Sequence, residues 1–179
     1  MIEVHENLYC GSEYDLYDSI LCNYRPVASE MELFCCMPEG WAVVHAAKEP
    51  FHRMALGYVG RGAPKDHPEY LWAERGNRLA LNMVDAPKVE FFDKRMIDKA
   101  IEFIGRKLGE GHRVLVHCNK GESRSPSLCL LYLISVGVLK GSLLQEYMTE
   151  FCRIYPNYNP FDGILGFIQE HWLEYVCKV

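Results

Sequence analysis

Two residues in the second half of the chain, Cys118 and Arg124, have the types and the spacing needed to bind and attack a phosphate group. The segment from His117 to Pro126 reads HCNKGESRSP and joins an apolar run to a helical pattern. Successive backbone N–H groups in a tight loop form an anion-binding nest, and a helix N-terminus adds partial positive charge. Gly121 lets the backbone approach closely, and the planar guanidinium of Arg124 matches two phosphate oxygens. The segment therefore predicts a binding site for a phosphate dianion.

Cys118 is the candidate nucleophile of this segment. A thiolate is stabilised at a helix N-terminus beside a cation, and beneath a bound phosphate it is placed for in-line attack at phosphorus. Ser125 is a candidate to hydrogen-bond the thiolate and to stabilise it as the leaving group. The residues expected around the phosphate are Asn119, Lys120, Gly121, Glu122, Ser123 and Arg124. Lys120 and Glu122 are either substrate-selecting groups at the rim or ordinary solvated charges.

Release of an alkoxide or a phenolate needs a proton donor, and Asp85 is the candidate general acid. It stands in Val84-Asp85-Ala86-Pro87, after an apolar run and before a long helical pattern. Asp66, in a predicted loop, is the second candidate. Asp93 and Asp98 fall inside the helical pattern, where a place on a solvated face is expected.

The nine residues from His117 to Ser125 resemble the signature of the cysteine-based protein tyrosine phosphatases. The exit Gly-x-Ser-Arg-Ser-Pro resembles the dual-specificity branch of that superfamily. Residues 7–12 are similar to the family's opening strand and turn, and residues 163–172 to its closing helix. The resemblance implies a phosphocysteine intermediate, a tuning role for His117, and an acid loop around Asp85, which precedes Cys118 by 33 residues. It implies no metal and no cofactor.

The same resemblance implies a phosphorylated protein as partner, carrying phosphotyrosine and also phosphoserine or phosphothreonine. Glu122 places a negative charge close to the site, which disfavours highly anionic headgroups by Coulomb repulsion. Two alternatives stay open: a phosphate-binding pseudophosphatase module, and a phosphatase that acts on a phosphoinositide or an RNA 5′-phosphate. A rhodanese-like sulfur transferase or an arsenate reductase also uses a loop cysteine near an arginine, but neither class explains the acid loop.

The elements around these residues predict an α/β fold, with a central mixed, partly parallel sheet flanked by helices. Apolar runs predict two strands within residues 1–10 and single strands at 41–47, 79–84 and 113–117. Helical periodicity predicts helices at 90–108 and 125–138, one from Ser142 with a capping box, and one from Pro160 with Asn159 as N-cap. Residues 57–78, rich in Gly, Pro and charge, predict a surface loop insertion. The whole chain, 1–179, is expected to form one domain.

Composition excludes several classes of protein. The chain has 179 residues, a net charge of -5 and 49% hydrophobic residues, which predicts a globular domain and gives no sign of a nucleic-acid binder. The sequence carries neither a signal-peptide pattern nor an apolar run long enough to span a membrane. Eight cysteines without framework spacing indicate free thiols in a reducing, cytoplasmic setting, and the adjacent pair Cys35-Cys36 suits neither a disulfide nor zinc. Cys129, Cys152 and Cys177 are expected in the core, and the oligomeric state stays open.

Overall fold

A six-stranded mixed sheet is the centre of the fold. The computed structural model describes residues 1–21 and 37–176. The order of the strands across the sheet is β1-β2-β6-β3-β5-β4. Their bounds are β1 Ile2–His5, β2 Leu8–Ser12, β3 Trp41–His45, β4 Trp72–Arg75, β5 Arg78–Leu81 and β6 Arg113–Cys118.

The four inner strands run parallel, and each outer strand is antiparallel to its neighbour. β2 and β3 both pair with β6 in parallel, and β3 pairs in parallel with β5. β1 and β4 close the two edges as hairpins with β2 and β5. A parallel strand is covered on both faces, which explains why all five residues of β3 are buried and read as one apolar run. The carboxyl ends of β2 and β6 meet where Ser12 pairs with Cys118.

Helices cover the two faces of the sheet unequally. Six α-helical segments are described, with bounds α1 Glu13–Asp15, α2 Arg53–Leu56, α3 Lys94–Gly109, α4 Arg124–Ser135, α5 Leu144–Ile154 and α6 Asp162–Tyr175. Short π-helical turns, Leu16–Ile20 and Lys48–His52, extend α1 and precede α2. The large core contains α3 to α6 and alternate strand residues such as Val44 and Val116. Val43 and Leu115 face the smaller cluster on the other side.

The fold predicted from sequence is confirmed, with corrections at particular elements. The predicted loop 57–78 contains β4, because Trp72–Arg75 pairs with β5 across the turn at Gly76, which has φ +60°. The last helix begins at Asp162 rather than Pro160, and its N-cap is Phe161 rather than Asn159. At the start of α5 the side chain of Glu146 accepts hydrogen bonds from the N–H groups of Ser142 and Leu143. The helix therefore begins at Leu144 rather than Ser142, and Glu146 caps it in place of the expected capping box with Ser142.

The cysteines of the described ranges are free thiols. Cys10, Cys118 and Cys129 are buried, as expected for Cys129, whereas Cys152 is exposed and its prediction as a core residue was wrong. Cys152 lies on the solvent side of α5, whose buried residues are Tyr147 and Phe151. The Cys35-Cys36 pair and Cys177 lie outside the described residues. None of the helices in the described ranges is long and apolar enough to cross a membrane.

Candidate active site

Cys118 lies at the start of a loop that leads from β6 directly into α4. β6 ends at Cys118, and α4 begins at Arg124. The Gly121 N–H donates to the Cys118 Sγ over 3.3 Å, and the Ser125 Oγ lies 3.3 Å from the same sulfur. The Ser125 Oγ also lies 3.0 Å from the Gly11 carbonyl oxygen, so its single proton is shared between two acceptors. Donors that face a sulfur stabilise negative charge on it.

Gly121 makes the tight loop possible. Its φ is +79°, and a Cβ at this position would lie 2.9 Å from the backbone carbon of Gly11, so a larger residue would collide with the end of β2. The Tyr155 hydroxyl donates to the Gly121 carbonyl over 2.8 Å. Burial raises the pKa of Tyr155 well above its ordinary value, so the hydroxyl stays protonated as a donor. These contacts hold the Gly121 peptide close to Cys118.

Arg124 is buried, and its guanidinium is held from two sides. Nη1 donates to the Met83 carbonyl over 3.1 Å, and Nη2 donates to the Asn119 Oδ1 over 2.9 Å. The amide of Asn119 is itself oriented, because its Nδ2 donates to the Glu13 carboxylate over 2.9 Å. The buried Nε of Arg124 makes no hydrogen bond with any described residue. A fixed guanidinium with a free donor fits an oxyanion ligand.

Asp85 lies beside this guanidinium. Its Oδ1 accepts from the Ser123 hydroxyl over 2.9 Å, and its Oδ2 lies 3.8 Å from the Arg124 Nε. The side chain is 36% exposed, so water reaches the carboxylate. The loop that carries Asp85 packs tightly on α6, since a Cβ on Gly163 would lie 2.2 Å from the Ala86 carbonyl oxygen. Helix packing and Ser123 together fix the position of Asp85.

These residues share one cavity of about 510 Å³. Its lining residues are Asp85, Cys118, Asn119, Lys120, Glu122, Ser123, Arg124, Asn159 and Phe161. The structure therefore brings Asp85 to the predicted phosphate loop, whereas Asp66 is exposed and is not among the lining residues. Lys120 and Glu122 are exposed at the rim. Gly121 and Ser125 contact the sulfur without lining the cavity.

Phe161 is a cavity residue that sequence reasoning missed. Its ring is 48% exposed, and its N–H donates to the Ser123 Oγ over 3.0 Å. Two residues earlier, the Asn159 N–H donates to the Glu122 carbonyl over 2.8 Å. Both bonds join the segment before α6 to the phosphate loop. The sequence offers only a weak signal here, an aromatic residue directly after Pro160, because the contacts are made between distant parts of the chain.

His117 lies behind the nucleophile and away from the cavity. It is fully buried, its Nδ1 lies 3.4 Å from the Cys118 carbonyl oxygen, and its Nε2 lies 2.6 Å from the Nδ1 of His45. Burial lowers the pKa of His117 to about 3, so the ring is neutral. Sequence analysis did not single out His45, which belongs to an apolar strand run.

Within residues 1–21 and 37–176 there is no group of three or more His, Cys, Asp or Glu side chains arranged to hold a metal ion.

Comparisons with solved structures agree with this fold. The human tyrosine phosphatase-like serine/threonine/tyrosine-interacting protein matches with a TM-score of 0.62 and 19% identity, over 98% of this chain and 97% of that one. The structure of DUSP15 matches with a TM-score of 0.61 and 19% identity, over 96% of this chain and 86% of that one. Because the sequence identity is low, these structural similarities establish the fold alone.

Sequence comparison identifies the family. Dual specificity protein phosphatase 5 of Rattus norvegicus is 34% identical over 73 residues, which are 40% of this chain. The matched part spans only 19% of that relative's length. The model of the dual specificity phosphatase catalytic domain matches residues 65–159, more than half of the 179 residues, and this span includes Asp85, Cys118 and Arg124. The chain belongs to the dual specificity phosphatase catalytic domain family.

Proposed function

We propose that this protein hydrolyses phosphate monoesters on phosphorylated proteins, by way of a phosphocysteine intermediate. One observation carries the proposal: a single cavity is lined by a sulfur, a fixed guanidinium and a carboxylate, those of Cys118, Arg124 and Asp85. Family membership supports the same reaction.

In the binding step, the phosphate enters the loop between Cys118 and Arg124. The N–H groups of the loop and of the first turn of α4 donate hydrogen bonds to its equatorial oxygens. The Nε of Arg124 is the free donor for one of these oxygens. Hydrogen bonds to Met83 and Asn119 already hold the guanidinium in position, so it does not have to reorganise as the reaction proceeds.

In the first chemical step, the thiolate of Cys118 attacks phosphorus and forms an S–P bond while the ester P–O bond breaks. Asp85, protonated, gives its proton to the leaving oxygen and becomes a carboxylate. The position of Asp85 on the cavity wall, with its Oδ2 3.8 Å from the Arg124 Nε, supports this role as proton donor. The products are the alcohol and phosphocysteine.

In the second step, water attacks the phosphorus of the intermediate. The Asp85 carboxylate takes a proton from this water, the S–P bond breaks, and the thiolate leaves with its electron pair. The Gly121 N–H and the Ser125 hydroxyl, each 3.3 Å from the sulfur, stabilise the charge that returns to it. Inorganic phosphate is released, and the enzyme regains its starting state.

The lining of the cavity favours a phosphorylated side chain over a polyanionic headgroup. Beyond Arg124, which holds the reacting phosphate, the cavity wall carries one positive charge, on Lys120, and one negative charge, on Glu122. A headgroup with several phosphates gains little from a wall whose charges cancel. The protein substrate is therefore preferred to a phosphoinositide.

We further propose that residues 1–179 form a single catalytic domain. Three distant segments contact the phosphate loop: β2 through Gly11, the acid loop through Asp85, and the segment before α6 through Phe161. The working setting is a reducing, cytoplasmic one, which protects Cys118 from oxidation.

The test is turnover of phosphopeptides and aryl phosphates with a chelator present. Wild type is expected to release phosphate, and Cys118→Ser to lose turnover while still binding phosphotyrosine peptide. Asp85→Asn is expected to slow esters with poor leaving groups by about 10²–10⁴-fold and those with good leaving groups far less. Asp66→Asn is the matched control and should behave as wild type.

Persistent turnover by Cys118→Ser would remove Cys118 as the nucleophile. Peptide binding without turnover by wild type would favour the pseudophosphatase alternative. Loss of activity with the chelator would point to a metal-dependent reaction.

A further inference from the structure

Three buried polar side chains stand in a row behind the nucleophile, on three neighbouring strands. Arg78 is on β5, His45 on β3 and His117 on β6, and each is 2% exposed or less. His45 and His117 are register partners, and Arg78 pairs with Val43, two residues before His45. Side chains two residues apart along a strand point to the same face, so all three share one face of the sheet.

The spacing of their atoms makes the row continuous. The Arg78 Nη1 lies 3.5 Å from the His45 Nε2, and the His45 Nδ1 lies 2.6 Å from the His117 Nε2. The His117 Nδ1 then lies 3.4 Å from the Cys118 carbonyl oxygen. The Phe51 ring stacks on His45 and meets His117 edge-on, with centroid distances of 4.4 and 4.8 Å. The row therefore runs from a guanidinium to the backbone of the nucleophile.

The two ends fix which atom donates at every link. A guanidinium only donates, so the His45 Nε2 accepts and the proton of the neutral ring is on Nδ1. This Nδ1–H donates to the His117 Nε2, which leaves the His117 proton on its own Nδ1. That N–H points at the Cys118 carbonyl oxygen, which only accepts. Each of the three links is satisfied by one and the same assignment.

Both rings are neutral, as this assignment requires. Burial lowers the pKa of His45 well below its ordinary value, with the neighbouring His117 and Arg78 acting in the same direction. Burial likewise lowers the pKa of His117, against the opposing effect of the Cys118 carbonyl. A second proton on His117 would set two N–H groups against each other across the 2.6 Å contact, and a second proton on His45 would do so across the 3.5 Å contact with Arg78.

We propose that His45 and Arg78 are positioning residues, which fix His117 as the donor that holds the Cys118 carbonyl away from the phosphate side. The C=O and N–H of a trans peptide point in opposite directions. A carbonyl held towards His117 therefore turns the following Asn119 N–H away from the histidines, towards the anion-binding loop. The catalytic part of this inference rests on the proposed function, whereas the hydrogen-bond row does not.

The row is tested directly by nitrogen-15 NMR of the wild-type chain, residues 1–179, labelled at histidine. At pH 7 the long-range ring couplings of His45 and His117 are expected to show neutral rings with the proton on Nδ1. The spectra of His45→Asn and of His117→Asn assign the signals. An Nε2–H form of either His45 or His117 would overturn the row, whether or not the protein has activity.

The positioning role is tested by exchanging His45 for residues with and without a donor. His45→Leu removes the donor to His117 and is expected to lower kcat by about 10–100-fold with a smaller change in KM. His45→Asn keeps an amide N–H near the position of Nδ1 and is expected to restore most of kcat. His52→Leu is the matched control, because His52 is another fully buried histidine, outside the row and bonded to the Glu69 carbonyl.

Equal losses for His45→Leu and His45→Asn would show a packing effect and refute the positioning role, as would wild-type kcat in His45→Leu. If wild type itself shows no turnover, the proposed function fails, and the tautomers still decide whether the row exists. Should His45→Leu not fold, the comparison of His45→Asn with wild type and the wild-type spectra remain decisive.

Discussion

Acid should destabilise the folded protein through its neutral buried histidines, and the size of the effect at His117 can be worked out. Burial lowers the pKa of this ring to about 3 in the folded state, whereas a histidine in the unfolded chain has a pKa of about 6.5. At pH values between these two pKa values, His117 binds a proton in the unfolded chain but not in the folded chain. Stability present above about pH 6.5 is therefore lost progressively as the pH falls towards 3.

From pH 7 to pH 5 the unfolded ring goes from mostly neutral to almost fully protonated, while the folded ring stays neutral. The linkage relation then gives a loss of about 2 kcal/mol in the free energy of unfolding from this one residue. His45 shifts in the same direction and adds to the loss. Carboxylates also contribute, so the effect has to be isolated by comparison with a variant.

The assay is urea unfolding, followed by tryptophan fluorescence, of wild type and His117→Asn at pH 7 and pH 5. Each protein is compared with itself at the two pH values, so a constant loss caused by the substitution cancels. Wild type is expected to lose about 2 kcal/mol more than the variant on acidification. Parallel losses in the two proteins would refute the neutral buried histidine and, with it, the direction of the hydrogen-bond row.

Two further substitutions test the cavity wall. Arg124→Lys removes the planar fork and at least one of its links to Met83 and Asn119, and kcat/KM for a phosphotyrosine peptide is expected to fall by about 10²–10³-fold; near-wild-type kinetics would contradict its role. Phe161→Ala removes a half-exposed ring from the cavity and is expected to lower kcat/KM for phosphotyrosine more than for phosphothreonine peptides, because an aryl group loses more contact. Leu173→Ala, which changes an exposed residue of α6 itself, is the control, and equal effects on both peptides would remove Phe161 as a selector.

Sequence reasoning reached the parts of the site that are continuous along the chain. The apolar strand, the glycine-containing loop and the following helix stand next to each other between residues 113 and 135, so their local pattern determined the geometry around Cys118. Asp85 is distant from Cys118 in the sequence, but it could be predicted because it too follows an apolar run. Local order along the sequence was enough in both cases.

The parts that were missed depend on contacts between distant segments. Phe161 belongs to the cavity because its N–H bonds to Ser123, and this same contact places the start of α6 at Asp162. β4 is a short strand that ends in charged residues, and its pairing with β5 identifies it better than its own composition. The strand order brings His45 and Arg78 into line with His117, and their own positions in the sequence do not indicate it.

The most direct test of the reaction is to trap the phosphorylated enzyme. Asp85→Asn, mixed with a phosphorus-32-labelled aryl phosphate that has a good leaving group and quenched with acid, should carry label on the peptide fragment that contains Cys118, because this variant forms the intermediate readily and lacks the base that hydrolyses it. Cys118→Ser treated in the same way should carry none. Label on any other residue, or turnover by wild type without a labelled cysteine at any quench time, would contradict nucleophilic attack by Cys118.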